Sequence, residues 1–114
     1  MYKILIIALV FSSILMSCSI SGGIRTNDAD KAYEKTSASS IKVYSLKDIG
    51  RDYIVIGAVG ASADAGEDAE KPVELLKEEA ADLGADAIVG LKLNFTYGEW
   101  SAGIRAVGTA VKFK

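Results

Sequence analysis

The chain has no histidine, one cysteine (Cys18), one proline and one tryptophan in 114 residues. Without imidazole it lacks the side chain that most readily exchanges protons near neutral pH and most often binds metals through nitrogen. A single cysteine excludes an intramolecular disulfide and a thiolate cluster. No serine occupies a nucleophile elbow, and no glycine-rich phosphate loop precedes a helix. The expectation is a protein that is not an enzyme, with no catalytic residues, no cofactor and no metal site assigned. Neither sign of charge dominates. Thirteen basic and fifteen acidic side chains give a net charge of −2, with no basic stripe. Nucleic-acid binding therefore has no electrostatic footing. The length allows one domain.

Half of the residues are hydrophobic, a fraction raised by the first twenty positions. Lys3 is the only charge there, and Ile4–Leu15 is almost wholly apolar. This is the n-region and h-region of a secretion signal. It is too short for a spanning helix, which needs about 20 apolar residues. The run ends Leu15-Met16-Ser17-Cys18, which resembles the lipobox of bacterial lipoproteins. In that family a peptidase cuts before the cysteine, the thiol carries a diacylglycerol, and the new amino terminus is acylated, as with palmitate. The resemblance implies a signal peptide at 1–17 and lipidation at Cys18. An ordinary signal peptide followed by an incidental cysteine is the competing reading, but a lone free thiol would be unusual in an oxidising compartment. Two or three acyl chains anchor firmly where one binds marginally. The implied location is the cell envelope, lipid-anchored to a membrane. Ser19 is not the aspartate that retains enteric lipoproteins in the inner membrane, so the outer membrane is expected if the source has two. Removal of the leader takes Lys3 with it and leaves 12 basic and 15 acidic side chains.

Residues 18–40 read as the lipidated cysteine and a flexible tether. Ser19, Ser21, Gly22, Gly23, Thr26, Asn27 and the run Thr36–Ser40 are small or polar, and only Ile20, Ile24 and Tyr33 are bulky and apolar. As a coil, residues 19–39 would span roughly 25 Å. A short helix over Ala29–Lys35 would be weak alone.

Residues 41–114 read as one α+β domain. Ile41–Tyr44 alternates apolar and polar residues, as a short N-terminal strand does. Tyr53–Gly60 is β-branched and apolar on both faces, a second strand. Residues 61–71 form a small, acidic link. Pro72 suits a first helical turn; Val73, Leu76, Ala80 and Leu83 follow at helical spacing, and Gly84 is a helix stop. Ala87–Phe95 alternates again. Thr96–Gly103 is a hairpin connection leading into a last strand, Ile104–Phe113. One face of that strand carries Val107, Thr109, Val111 and Phe113. The other carries Ala106, Gly108 and Ala110, small enough for another backbone to approach.

The stretch Leu83-Gly84-Ala85-Asp86-Ala87-Ile88-Val89-Gly90-Leu91, followed in register by Gly108-Thr109-Ala110-Val111, resembles the YbjQ-like family, small domains described as "putative heavy-metal-binding". The likeness runs back through the helix to Tyr53–Gly60. It implies a two-layer β-α-β-β sandwich, with one helix on a mainly antiparallel sheet and the last strand in the middle. It also implies assembly of copies into rings, commonly pentamers. A lipobox ahead of such a domain is similar in outline to the RcsF signalling domain. Residue patterning alone leaves a second topology open, with Tyr53–Gly60 beside Ala87–Phe95 in parallel.

Three features invite a functional reading. Asp64, Glu67, Asp68 and Glu70 would suit a hard cation such as calcium; equally, they favour a helix N-terminus and keep a loop soluble. Tyr97, Glu99 and Trp100 would suit a partner protein, or Trp100 folds back over the sheet edge. Lastly, one helix covers one side of a three-stranded sheet. The other side is expected to be buried by neighbouring copies, or by the segment near Ile41–Tyr44 or the tether in a monomer. The function expected is a non-enzymatic envelope lipoprotein whose small domain binds, senses or assembles. Its partners would be the membrane, further copies of itself and an envelope protein. The alternative is a hard-cation or small-ligand binder.

Overall fold

The last strand organises the sheet. The computed structural model describes residues 19–64, 68–97 and 102–114; the leader at 1–17, Cys18, Glu67, Glu99 and Trp100 lie outside them. Among the described residues the strands are β1 (Ser19–Arg25), β2 (Lys42–Val43), β3 (Tyr53–Asp64), β4 (Ala87–Tyr97) and β5 (Ala102–Phe113), and the α-helix is α1 (Glu70–Asp82). They form an α+β unit with one sheet in the order β1-β3-β5-β4-β2. β5 is central and antiparallel to both β3 and β4. The parallel alternative, Tyr53–Gly60 directly beside Ala87–Phe95, does not occur, because β5 lies between them. β4 and β5 follow each other closely in sequence, so they pair as a hairpin. The crossover through α1 leaves one strand's width open for β5. The short strand expected at Ile41–Tyr44 is present as β2, which pairs with β4 in parallel at one edge.

Helix α1 ends in a Schellman arrangement. The Ala85 N–H donates to the Ala80 carbonyl at 3.0 Å and the Gly84 N–H to that of Ala81 at 3.0 Å, while Gly84 takes a left-handed φ of 85°. Any Cβ at Gly84 would also lie 2.5 Å from the Glu34 carbonyl oxygen. The buried face of α1, including Pro72, Leu76, Ala80 and Ala81, packs on Ile56, Val59, Ile88, Ala106 and Ala110 from the sheet.

Two expectations need correction. The small face Ala106-Gly108-Ala110 is not the sheet's free side. Ala106 and Ala110 are fully buried, and a Cβ on Gly108 would meet Ile88 Cγ2 at 2.5 Å and Leu76 Cδ2 at 3.6 Å. Those small residues let α1 and β4 settle onto β5. On the opposite face, Ala87, Val89 and Val111 are buried, with Tyr44, Ile49, Tyr53, Val55 and Phe113 packed around them. One end of that face is therefore covered from within the chain by the strap leading from β2 into β3. The Tyr53 hydroxyl donates to the Lys47 carbonyl at 2.6 Å and closes the strap.

The second correction concerns the tether. Ser19–Arg25 is a strand, antiparallel to β3 from Ser19↔Ala63 to Arg25↔Gly57. The Ser21 hydroxyl donates to Glu79 Oε1 of α1 at 2.8 Å. Further along, the Thr36 N–H donates to the Ala81 carbonyl at 2.9 Å and its hydroxyl to that of Ala85 at 2.7 Å. A Ser/Gly-rich segment becomes a strand here because an antiparallel ladder is a backbone interaction. β3 offers it an unoccupied edge, and Gly57 has no Cβ to block the Ile24 carbonyl. With β1 on one side and β5 on the other, β3 extends to Asp64, four residues into the expected link. Among the described residues no helix is long and apolar enough to cross a membrane.

Candidate functional site

The acidic residues 64–70 do not converge. Asp64 is exposed at the end of β3, Asp68 is exposed ahead of α1, and Glu70 opens that helix. Asp64 lines a hollow of about 680 Å³ together with Ser62, Asn94, Phe95, Ile104 and Arg105. Glu70 lines a separate one of about 460 Å³ with Glu74, Lys77 and Leu93. Among the described residues no three His, Cys, Asp or Glu side chains come together in a way that could hold a metal ion. Of the aromatic trio, Tyr97 closes β4, and Glu99 and Trp100 lie outside the described residues.

The hollow beside Asp64 sits at the end of the β3-β5-β4 sheet opposite Asp86. A carboxylate, the Arg105 guanidinium, the Asn94 amide and the Thr96 hydroxyl line it beside the exposed Phe95 ring. Such a surface offers charge and hydrogen bonds of both kinds but no buried acid or base. Cys18 lies outside the described residues, but its covalent neighbour Ser19 starts β1.

The far end of the sheet is a structural clamp. The Asp86 N–H donates to the Val111 carbonyl at 2.8 Å, and its carboxylate accepts from the Phe113 N–H at 2.9 Å. Lys112 Nζ reaches Asp86 Oδ1 at 3.3 Å and the Gly84 carbonyl at 3.1 Å. In the run Leu83–Leu91, then, Gly84 ends the helix, Asp86 ties β5, and Ala87, Ile88 and Val89 enter the two cores. The geometry of this run serves folding. A family model described as "Putative heavy-metal-binding", YbjQ_1, matches residues 43–114. The chain belongs to the YbjQ family. Among solved structures, the YbjQ-family chain is similar to a Francisella virulence factor, FvfA, in its orthorhombic crystal form. Identity is 21%, the TM-score is 0.59, and the likeness covers 80% of this chain and 97% of that one. At that identity the likeness is one of fold. It takes in more of the chain than residues 43–114, so it includes part of the segment ahead of the family match. None of the curated proteins matches the chain.

The family's description raises a heavy metal. Such ions take thiolate and imidazole ligands. This YbjQ-family chain has no histidine, and Cys18 is its one cysteine. The acids among its described residues are spread over separate surfaces. The donor set does not fit a heavy-metal site.

Sequence reasoning missed β1; the strap over one end of the second sheet face begins in the segment near Ile41–Tyr44 that was one of the alternatives for covering it. The signal for the strap was present in the apolar spacing of Tyr44, Ile49 and Tyr53. β1 left only Ile20 and Ile24 as a hint.

Proposed function

We propose that this YbjQ-family chain is a lipid-anchored protein of the bacterial envelope whose small domain acts by binding, sensing or assembly rather than by catalysis. The observation that carries the reading is Leu15-Met16-Ser17-Cys18 at the end of an apolar run of signal-peptide length. Lipidation also accounts for a lone cysteine in an exported protein. The non-catalytic part rests on the missing imidazoles and on the absence of a buried polar or charged side chain among the described residues. Partners in this reading are the membrane, further copies of the chain in a ring, and an envelope protein; the outer membrane is its place if the source has two. Cells given labelled palmitate should label the protein, and Cys18→Ser should abolish the label and leave a band of precursor size. Labelling that survives in the serine variant overturns the reading.

A second reading has one observation in its favour. The hollow of about 680 Å³ with Asp64, Asn94 and Arg105 on its walls suits a small polar ligand.

A further inference from the structure

The anchor and the fold meet without a spacer. Ser19 is covalently next to Cys18 and is already paired with Ala63. Ala63 pairs with Ile104, and Ile104 with Phe95. Ser19, Ala63, Ile104 and Phe95 therefore form one row across four strands. With strands about 4.8 Å apart, Phe95 stands roughly 14 Å from the anchored strand along that row. An acylated cysteine sits at the headgroup level of its bilayer, and one residue later the chain is in the sheet. The end of the sheet that carries this row therefore faces the membrane.

That end also carries three of the five large exposed hydrophobics among the described residues. Among the described residues the large exposed hydrophobics are Ile20 at 74%, Leu46 at 69%, Ile24 at 67%, Phe95 at 52% and Leu93 at 37%. Three of these occupy successive rows from the anchor: Phe95 in the row of Ser19, Ile20 in the row of Ser62 and Arg105, and Leu93 in the row of Ala61 and Ala106. Because neighbouring residues alternate faces, Ile20 projects from the face away from α1, and Phe95 and Leu93 from the face that α1 partly covers. The apolar groups thus flank both sides of one edge. The three rows span about 7 Å along the strands. β4 and β5 continue two rows beyond them, to Tyr97 and Ala102. Phe95 therefore stands about 7 Å from that last row, within the roughly 5–10 Å to which interfacial elements sink into the headgroup boundary. Leu93 borders the inner limit of the contact. Arg105 is exposed in the second row, where a cation meets anionic headgroups. Asp64, also exposed, is the opposing charge at this end.

We infer that the β1-β3-β5-β4 end of the domain docks into the bilayer interface through Ile20, Leu93 and Phe95, so that the domain stands upright on its anchor with its strands along the membrane normal. The inference rests on the lipidation of Cys18 proposed above. In this arrangement the Asp86 clamp and the C-terminus point away from the membrane. Ile104 and Phe113 are nine residues apart on β5, so that far end is about 30 Å from the surface.

The test uses the full protein, purified from membranes and reconstituted into phosphatidylethanolamine–phosphatidylglycerol vesicles with brominated acyl chains. Thr96→Cys or Lys114→Cys supplies a thiol for an environment-sensitive fluorophore, and a lipidated Cys18 does not react. The expected result is one label per chain, with emission at position 96 largely quenched and emission at position 114 unchanged. Adding Phe95→Ser to Thr96→Cys should restore most of the emission, with thermal unfolding unaltered because Phe95 is exposed. Two labels per chain mean that Cys18 is unmodified, and they overturn the lipidation reading and the docking together. One label with equal, unquenched emission at both positions on vesicle-bound protein overturns the docking alone and points to β1 unzipping into a tether.

Discussion

The carboxylate of Asp86 accepts the backbone N–H of Phe113 at 2.9 Å, so the second residue after the helix stop fixes the end of the central strand. Lys112 adds an ion pair at 3.3 Å, with both side chains about a third exposed, so solvent screening keeps its own contribution small, at most about 1 kcal/mol. Asp86→Ala should cost about 1–2 kcal/mol, mostly from the stranded N–H, and lower Tm by roughly 5–15 °C for a domain of this size. Asp86→Asn retains an acceptor and should recover part of the loss. Thermal unfolding of residues 19–114 measures both, and an alanine variant as stable as the parent would remove the clamp from the account of the fold.

Gly57 governs whether the N-terminal segment is a strand. A Cβ there would lie 2.5 Å from the Ile24 carbonyl oxygen and 2.6 Å from Leu83 Cδ1. The backbone oxygen cannot move without disturbing the ladder, so Gly57→Ala should cost about 1–3 kcal/mol. Hydrogen exchange should then rise first at Ser19–Arg25. Gly22→Ala is the control, since nothing lies within 4 Å of its Cβ position. Equal exchange in the two variants would contradict a close β1–β3 contact.

Metal affinity separates the family's description from this chain's residues. Titration of residues 19–114 with zinc in a calorimeter should give no micromolar binding, because the chain has no imidazole and its one thiol is at Cys18. Calcium should also give no micromolar signal, because no three acids come together among the described residues. A micromolar calcium signal that disappears in Asp64→Asn would contradict that reading.

Self-association is expected on the face opposite α1. The strap covers Val89 and Val111, but Ile24 is 67% exposed and Ala58 beside it is exposed too. Apolar groups grouped on one flat surface favour a partner, and cyclic symmetry is the usual outcome for identical chains. Native mass spectrometry of residues 19–114 should show a closed oligomer, a pentamer on the family resemblance, and Ile24→Glu should dissociate it. A monomer throughout the micromolar range would leave this face to a different partner.

The amino-acid sequence by itself determined the elements whose side chains carry a period. Val73, Leu76, Ala80 and Leu83 recur at helical spacing up to Gly84, whose lack of a Cβ permits the left-handed turn that ends α1. The alternation of Ala87–Phe95 and of Ile104–Phe113 marked two strands, but not the faces of the first: a bulge between Val89 and Lys92 turns Ala87 and Val89 away from α1 and Leu91 toward it. Likewise, the missing histidines exclude an imidazole donor anywhere in the chain. Tertiary structure decided the rest. Ala106, Gly108 and Ala110 look alike on either face of a strand, and only the packing of Leu76 and Ile88 shows that they lie beneath the helix. Ser19–Arg25 has the composition of a coil, because its strand state comes from backbone hydrogen bonds to β3 rather than from its own side chains. Backbone pairing leaves almost no trace in residue type. That is why the stretch between Cys18 and the sheet, a coil's length on composition alone, shrinks to a single peptide bond once β1 pairs with β3.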